Sequence, residues 1–183
     1  MAKKPLPSPE VLRQLLRYEP EAGELFWKER PADMFASEAQ QRQWNRRYAG
    51  RRAFCTVYGP KGYLQGCIAD TMYMAHRVVY AFHVCDPGDL EIDHINGDRT
   101  DNRIENLRAV SPAENARNMR IRKDNKSGAH GVSWVGRYKR WVATINANGK
   151  HLYVGHFTDL DKAVSARKRA EAKFGYHENH GRK

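Results

Sequence analysis

Glu91-Ile92-Asp93-His94-Ile95-Asn96-Gly97-Asp98-Arg99-Thr100-Asp101-Asn102-Arg103-Ile104-Glu105-Asn106-Leu107-Arg108-Ala109-Val110-Ser111-Pro112-Ala113-Glu114-Asn115 is the stretch on which the fold turns. Glu91 to His94 reads as a short strand running into an Asn96-Gly97 turn, and Asn106 to Val110 as a second strand. Ser111 fits an N-cap, with Pro112 at the first helical position and Glu114 completing a capping box. Asn115 then falls in the first helical turn. Unpaired backbone N–H groups and a positive dipole end there favour a nearby phosphate.

The residue types suit hydrolysis of a phosphodiester, which needs a deprotonated water, a counter to the charge growing on phosphorus and a partner for the leaving oxygen. His94 is the candidate general base, since a neutral imidazole accepts a proton near neutral pH. Asp93 and Asn115 are candidate ligands for a hard divalent ion, Mg²⁺ or Mn²⁺, which prefers oxygen donors and keeps positions open for water and phosphate. Taken singly, each residue has a structural explanation, because asparagines gather at turns where their side chains cap the backbone. A calcium loop fails, because no register offers the ladder of oxygen ligands ending in glutamate at position twelve.

Asn106 lies twelve residues beyond His94, and Asn115 nine further. With the Asp93-His94 pair and the phrases Ala75-His76-Arg77, Ile95-Asn96-Gly97-Asp98, Asp101-Asn102-Arg103 and Glu114-Asn115, this spacing resembles the HNH nuclease family, specifically its H-N-N homing-endonuclease variant, over roughly residues 72 to 120. The resemblance implies a ββα-metal fold with His94 as general base, Asp93 and Asn115 on one divalent metal, and Asn106 bracing the turn.

Working outward, the chain has 183 residues with 40% hydrophobic residues, enough for one domain or two small ones. Lys+Arg 32 against Asp+Glu 21 gives a net charge of +11, which favours a polyanion partner such as nucleic acid. The cysteines, Cys55, Cys67 and Cys85, form no Cys-x-x-Cys pair and an odd number fits a disulfide scaffold poorly, so a reducing cytoplasm is expected. Pro5, Pro7 and Pro9 stand where a signal peptide needs an apolar run, and no stretch is apolar enough to span a membrane.

Residues 1–57 form an N-terminal region without assigned chemistry. A helix is expected over Pro9 to Arg17 with Val11, Leu12, Leu15 and Leu16 on one side, then a turn at Gly23 entering a strand through Trp27. The basic, aromatic-bearing run of Trp44, Arg46, Arg47, Arg51 and Arg52 suits either DNA backbone or a solvated surface. Residues 58–121 are the expected nuclease domain. It starts with strands at Gly62 to Ile68 and Thr71 to Tyr73, then a helix whose Ala75, Val78, Val79 and Phe82 make a core-facing stripe. His76 beside that stripe reads as structural, and Arg77 as a phosphate contact.

Residues 122–127 are a basic linker. Arg117, Arg120, Arg122, Lys123 and Lys126 around Asp124 suit the DNA backbone. From 128 to 183 the spacing changes to Gly131-Val132-Ser133-Trp134, Arg140 to Ile145 and His151 to Phe157, a three-stranded antiparallel sheet with Asn148-Gly149 as hairpin turn. A helix over Asp159 to Phe174, capped by Thr158 and stopped by Gly175, covers one face. The Trp141-x-Ala143-x-Ile145 and Tyr153-x-Gly155-x-Phe157 strands and the Ala163-rich helix resemble the plant ethylene-response-factor type of DNA-binding domain, whose sheet enters the major groove. That resemblance implies base-side contacts from Ser133, Arg140, Trp141, Thr144, Asn146 and Tyr153, with Arg137, Lys139 and Lys150 on phosphate. The family prefers arginine at Ser133 and Asn146, so no base preference transfers. Trp141 and Tyr153 also have a core reading.

The expected molecule is α+β: a ββα-metal nuclease portion followed by a small three-stranded antiparallel sheet on one helix. Its expected function is metal-dependent cutting of double-stranded DNA in a bacterial host cytoplasm, with a homodimer as one route to cutting both strands. The competing readings are a DNA-binding regulator with an inactive nuclease portion and, more distantly, an RNA-binding protein.

Overall fold

Ser8 and Pro9 open the first helix in the computed structural model, which describes residues 5–117, 121, 124–147, 149–176 and 180. The Ser8 side chain accepts from the Val11 N–H, and Pro9 occupies the first turn of α1 (Pro9–Leu15). The helix stops short of the expected Arg17. Leu16 already belongs to β1 (Leu16–Glu19), which pairs antiparallel with β2 (Glu24–Trp27) around Gly23. The switch from helix to strand lets Leu15 and Leu16, neighbours in sequence, both turn inward, while Val11 stays 40% exposed.

The chain divides into two compact units, Met1–Pro112 and Ala113–Lys183. The first continues through α2 (Glu38–Tyr48), β3 (Arg52–Ala53), β4 (Thr56–Tyr58), β5 (Tyr63–Ile68), β6 (Thr71–Met74), α3 (Ala75–His83), β7 (Glu91–His94) and β8 (Leu107–Val110). Its strands form three small antiparallel sheets, β1-β2-β3, β4-β5-β6 and β7-β8. One core joins them: Leu12, Leu16 and Leu25 pack in the same cluster as Val78, Val79, Ile92 and Leu107. Residues 5–57 therefore share their buried surface with the segment that carries the candidate site. The stripe on α3 is as expected, with Ala75, Val78 and Val79 buried and Phe82 packed against the cluster.

Asn106 differs from its expected place in a strand. It closes a 3₁₀ turn over Ile104–Asn106, and β8 begins one residue later. The turn forms because the Asn106 N–H returns to the Arg103 carbonyl, which frees the amide side chain to face the preceding loop. After β8 comes α4 (Pro112–Arg117).

The second unit contains β9 (Val132–Val135), β10 (Arg140–Ala147), β11 (Lys150–Phe157) and α5 (Leu160–Lys173), with strand order β11-β10-β9. Asp159, rather than Thr158, caps α5, since its carboxylate accepts from the Lys162 N–H at 2.9 Å. Alternation along β10 sends Ala143, Ile145 and Ala147 inward, and Ala143 packs with Ala163 of α5 and Val132. The molecule is thus α+β, as its sequence pattern predicts. No helix among the described residues is long and apolar enough to cross a membrane.

Candidate active site

His94 ends β7 and is 3% exposed. Its Nε2 lies 3.1 Å from Oδ1 of Asn102, which is itself 2% exposed. The amide orientation of Asn102 follows from its other bond: Nδ2 donates to the Thr100 carbonyl at 3.3 Å, so the oxygen faces the imidazole. An amide oxygen only accepts, which places the proton on Nε2 and leaves the lone pair on Nδ1. Burial pushes the His94 pKa down, opposed by the Asn102 bond and nearby Asp93, so the neutral ring persists into mildly acidic pH.

Asn106 holds the loop that presents Asn102. Its Oδ1 accepts from the Asn96 N–H at 2.9 Å, and its Nδ2 donates to the Asp101 carbonyl at 2.8 Å and to Asn96 Oδ1 at 3.0 Å. Asp101 is locked from the other side by Arg103, whose Nε and NH2 donate at 2.9 and 2.7 Å. Those bonds hold the Asp101 carboxyl at a pKa of about 2, so it is ionised at neutral pH. The N-terminal hairpin buttresses the same loop. Tyr18 is buried, and its hydroxyl accepts from the Ile104 N–H at 2.9 Å while donating to the Asn102 carbonyl at 3.2 Å. Gly23, at φ +66, turns so close that a Cβ there would sit 2.4 Å from the Arg103 nitrogen.

Asp93 leaves β7 on the face opposite His94, because successive strand side chains alternate. It stands across the hairpin from Arg108, which donates to Oδ2 through NH2 at 2.8 Å and Nε at 3.2 Å. Asn115 is half-buried on α4, in the second unit. The structure therefore joins His94, Asn102 and Asn106 in one hairpin loop and pairs Asp93 with Arg108. Among the described residues no group of three or more His, Cys, Asp or Glu could hold a metal ion. The donors the sequence offers, one carboxylate and one amide oxygen, suit an ion that takes most of its ligands from water and phosphate.

His76 packs edge-on to His94, ring centroids 5.2 Å apart, and Tyr63 stacks against both. Its Nδ1 is buried without a hydrogen-bond partner. Burial pushes the His76 pKa from 6.5 to about 3, with the neighbouring His94 and Arg77 charges acting in the same direction. A depressed histidine pKa means that the unfolded chain binds a proton the folded one refuses. Its stabilising effect is complete above 6.5 and is lost as pH falls toward 3. The expected slope is about 1.4 kcal/mol per pH unit from this group. His76→Phe should flatten the fall of stability across that window, measured by urea unfolding at stepped pH, and an unchanged slope would refute the assignment.

Arg77 is tied to its own fold. NH1 donates to the Leu90 carbonyl at 3.0 Å, NH2 to the Gly88 carbonyl at 3.1 Å, and Asp86 lies 3.6 Å away. Arg117 lies on α4, and its side chain, with the whole of Arg120, Arg122 and Lys123, falls outside the described residues.

In the second unit, alternation gathers Ser133, Arg140, Thr144, Asn146 and Tyr153 on the sheet face turned away from α5. Tyr153 is 61% exposed. Two residues that sequence reasoning passed over share this face: His151, 2.7 Å from Asn146 Oδ1, and His156, 2.6 Å from the Tyr153 hydroxyl. Alternation from Tyr153 would have found His151, whereas His156 reaches this face only through the register shift between Ala143 and Thr144. Trp141 points the other way, packing against the core with Trp134 edge-on at 5.2 Å. Arg137, Lys139 and Lys150 lie in or beside the turns between strands, where Lys139 is left-handed at φ +49.

Comparison with known proteins gives three likenesses. Residues 73–117 match the family model described as HNH endonuclease. Protein 3.8 of Escherichia phage T7 is 42% identical over 59 residues, 32% of this chain and 49% of the phage protein, so the match spans about half the length of that curated relative. A solved structure described as "DNA binding and cleavage by the HNH homing endonuclease I-HmuI" is similar at a TM-score of 0.39 and 16% identity, over 96% of this chain and 94% of the other. The similarity to HNH endonucleases is thus carried by residues 73–117, the segment that holds Asp93, His94, Asn102, Asn106 and Asn115.

Proposed function

We propose that this chain is a divalent-metal-dependent DNA endonuclease of homing type, in which residues 58–121 cut, residues 122–127 link and residues 128–183 read double-stranded DNA. The observation that carries the reading is the His94–Asn102 hydrogen bond within a segment that matches HNH endonucleases. A buried, neutral imidazole with its proton fixed on Nε2 has one atom left to work with. Nδ1 takes the proton from a water whose oxygen attacks phosphorus in line with the departing 3′ oxygen. Asn106 positions this base indirectly, through the loop that carries Asn102.

Asp93 and Asn115 are the residues that would hold Mg²⁺ or Mn²⁺, and the ion would supply Lewis acidity to the leaving oxygen. Arg108 donates to the Asp93 carboxylate, which fixes its orientation. Cutting one strand at a time needs one such site, and a homodimer or two successive events would cut both. The exposed sheet face of Ser133, Arg140, Thr144, Asn146 and Tyr153, flanked by Arg137, Lys139 and Lys150, is the proposed reader, in the manner of an ethylene-response-factor sheet, with donors and acceptors suited to base edges. Trp141 supports that face from behind. Arg117, Arg120, Arg122 and Lys123 follow the backbone. The setting proposed is the cytoplasm of a bacterial host.

Supercoiled plasmid incubated with the full chain should be nicked or linearised with Mg²⁺ or Mn²⁺ and left intact with EDTA. In the same preparation, Tyr153→Ala should weaken duplex binding. No product from any of several DNA sources would refute the nuclease reading, and unchanged binding by Tyr153→Ala would refute the reader face.

A further inference from the structure

A second cluster in the first unit has no part in the site above. Arg30 lies between two indoles, its guanidinium carbon 3.9 Å from the ring centre of Trp44 and 5.3 Å from that of Trp27. Its backbone is well held: Asn45 accepts from the Arg30 N–H at 2.9 Å, and Gln41 and Asn45 donate to its carbonyl. The guanidinium is different. Its Nε is buried without a partner, and among the described residues no hydrogen bond or carboxylate engages the group. Burial pushes its pKa below the ordinary arginine value.

A partly desolvated cation with no ion-pair partner among the described residues is a costly arrangement. Its donors border an open cleft of about 600 Å³, lined by Trp27, Trp44, Tyr48, Arg52 and Cys55 among others. Arg52 in this lining pairs with Glu24 at 3.0 Å, and Asp70 also lines the cleft. Arg46 and Arg47 in the last turn of α2, and Arg51 just after it, have no carboxylate partner among the described residues. α2 buries none of its own residues and is held by Trp44, against Trp27 and the Arg30 guanidinium, and by the Gln41 and Asn45 bonds to the Arg30 backbone. A planar fork of N–H donors matches the oxygens of a phosphate, and the adjoining aromatic planes suit a sugar or base.

We infer that the Arg30 cleft is a second DNA contact, in which the guanidinium held between Trp27 and Trp44 takes one phosphodiester of the DNA backbone. It rests on the nuclease reading only for the identity of the strand, and through it the N-terminal region grips DNA apart from the bond being cut.

The test uses the full chain in metal-free buffer with a labelled DNA duplex, so that cleavage plays no part. The logarithm of the binding constant is measured against that of KCl concentration. Arg30→Gln should lower affinity and reduce the slope by about 0.9, the share of one phosphate contact. A wild-type slope and affinity would overturn the inference. Because Arg30→Gln also removes one of the contacts that hold α2, a second readout leaves the wild-type residue in place. The Arg30 Nε–H, shielded from water, is followed by side-chain nitrogen NMR, with Arg30→Lys for assignment. It should shift on saturation with duplex, and an unmoved resonance overturns the inference. Arg30-dependent binding to an acidic peptide with none to DNA would also overturn it. A reduced slope beside a plasmid left uncut would instead uphold the cleft and defeat the nuclease reading.

Discussion

His94→Ala is expected to lower plasmid cleavage by about 10²- to 10⁴-fold, the range a positioned general base contributes, while duplex binding in metal-free buffer is unchanged. The ring is buried, so alanine also leaves a cavity and a lone Asn102 oxygen. His94→Gln separates those effects. Its amide N–H can still donate to Asn102 Oδ1 and its volume nearly fills the space, yet it offers no atom that accepts a proton at neutral pH. Both variants should lose cleavage to that extent, and the glutamine variant should keep wild-type stability more nearly. Cleavage by His94→Gln at the wild-type rate would mean that proton transfer does not pass through this ring. The same outcome would leave the His94–Asn102 bond as a structural one.

The sequence announced the hairpin through the Asp93-His94 doublet, the Asn96-Gly97 turn and the Ser111-Pro112 helix start, because each is a local signal. The antiparallel pairing of β7 and β8 follows from such signals alone. What it withheld is long-range. Asn102 looked like one more loop asparagine, and its bond to His94 spans eight residues of loop whose path depends on Asn106 and Asp101. The partner of Asp93, Arg108, is set by strand register rather than by proximity in sequence. Tyr18 lies in the N-terminal region to which the sequence assigns no chemistry, since its hydroxyl acts 84 and 86 residues away, on Asn102 and Ile104. Along β10, period-two alternation sorts the outer face, since Arg140, Thr144 and Asn146 share a parity that Trp141 does not, but on β11 the register shift puts Tyr153 and His156 on one face despite opposite parity.

Gly23→Ala should be the most damaging substitution outside the site itself, because two costs coincide there. A left-handed φ of +66 disfavours any Cβ, by about 1–2 kcal/mol. The added carbon would also stand 2.4 Å from the Arg103 nitrogen and 2.6 Å from the Asn102 carbonyl carbon, both backbone atoms. Relief requires the β1-β2 turn or the loop at 101–103 to move, and that loop carries the hydrogen-bond partner of His94. The expected loss is at least about 3 kcal/mol in urea unfolding, with cleavage falling further than the folded fraction accounts for. Gly50→Ala supplies the comparison. It has a similar φ of +74 but nothing within 4 Å of the added carbon, so only the backbone cost of about 1–2 kcal/mol should appear, with cleavage unaffected. Equal losses at the two positions would show that the N-terminal hairpin does not brace the loop beside His94, and the shared core would then be the whole of its contribution.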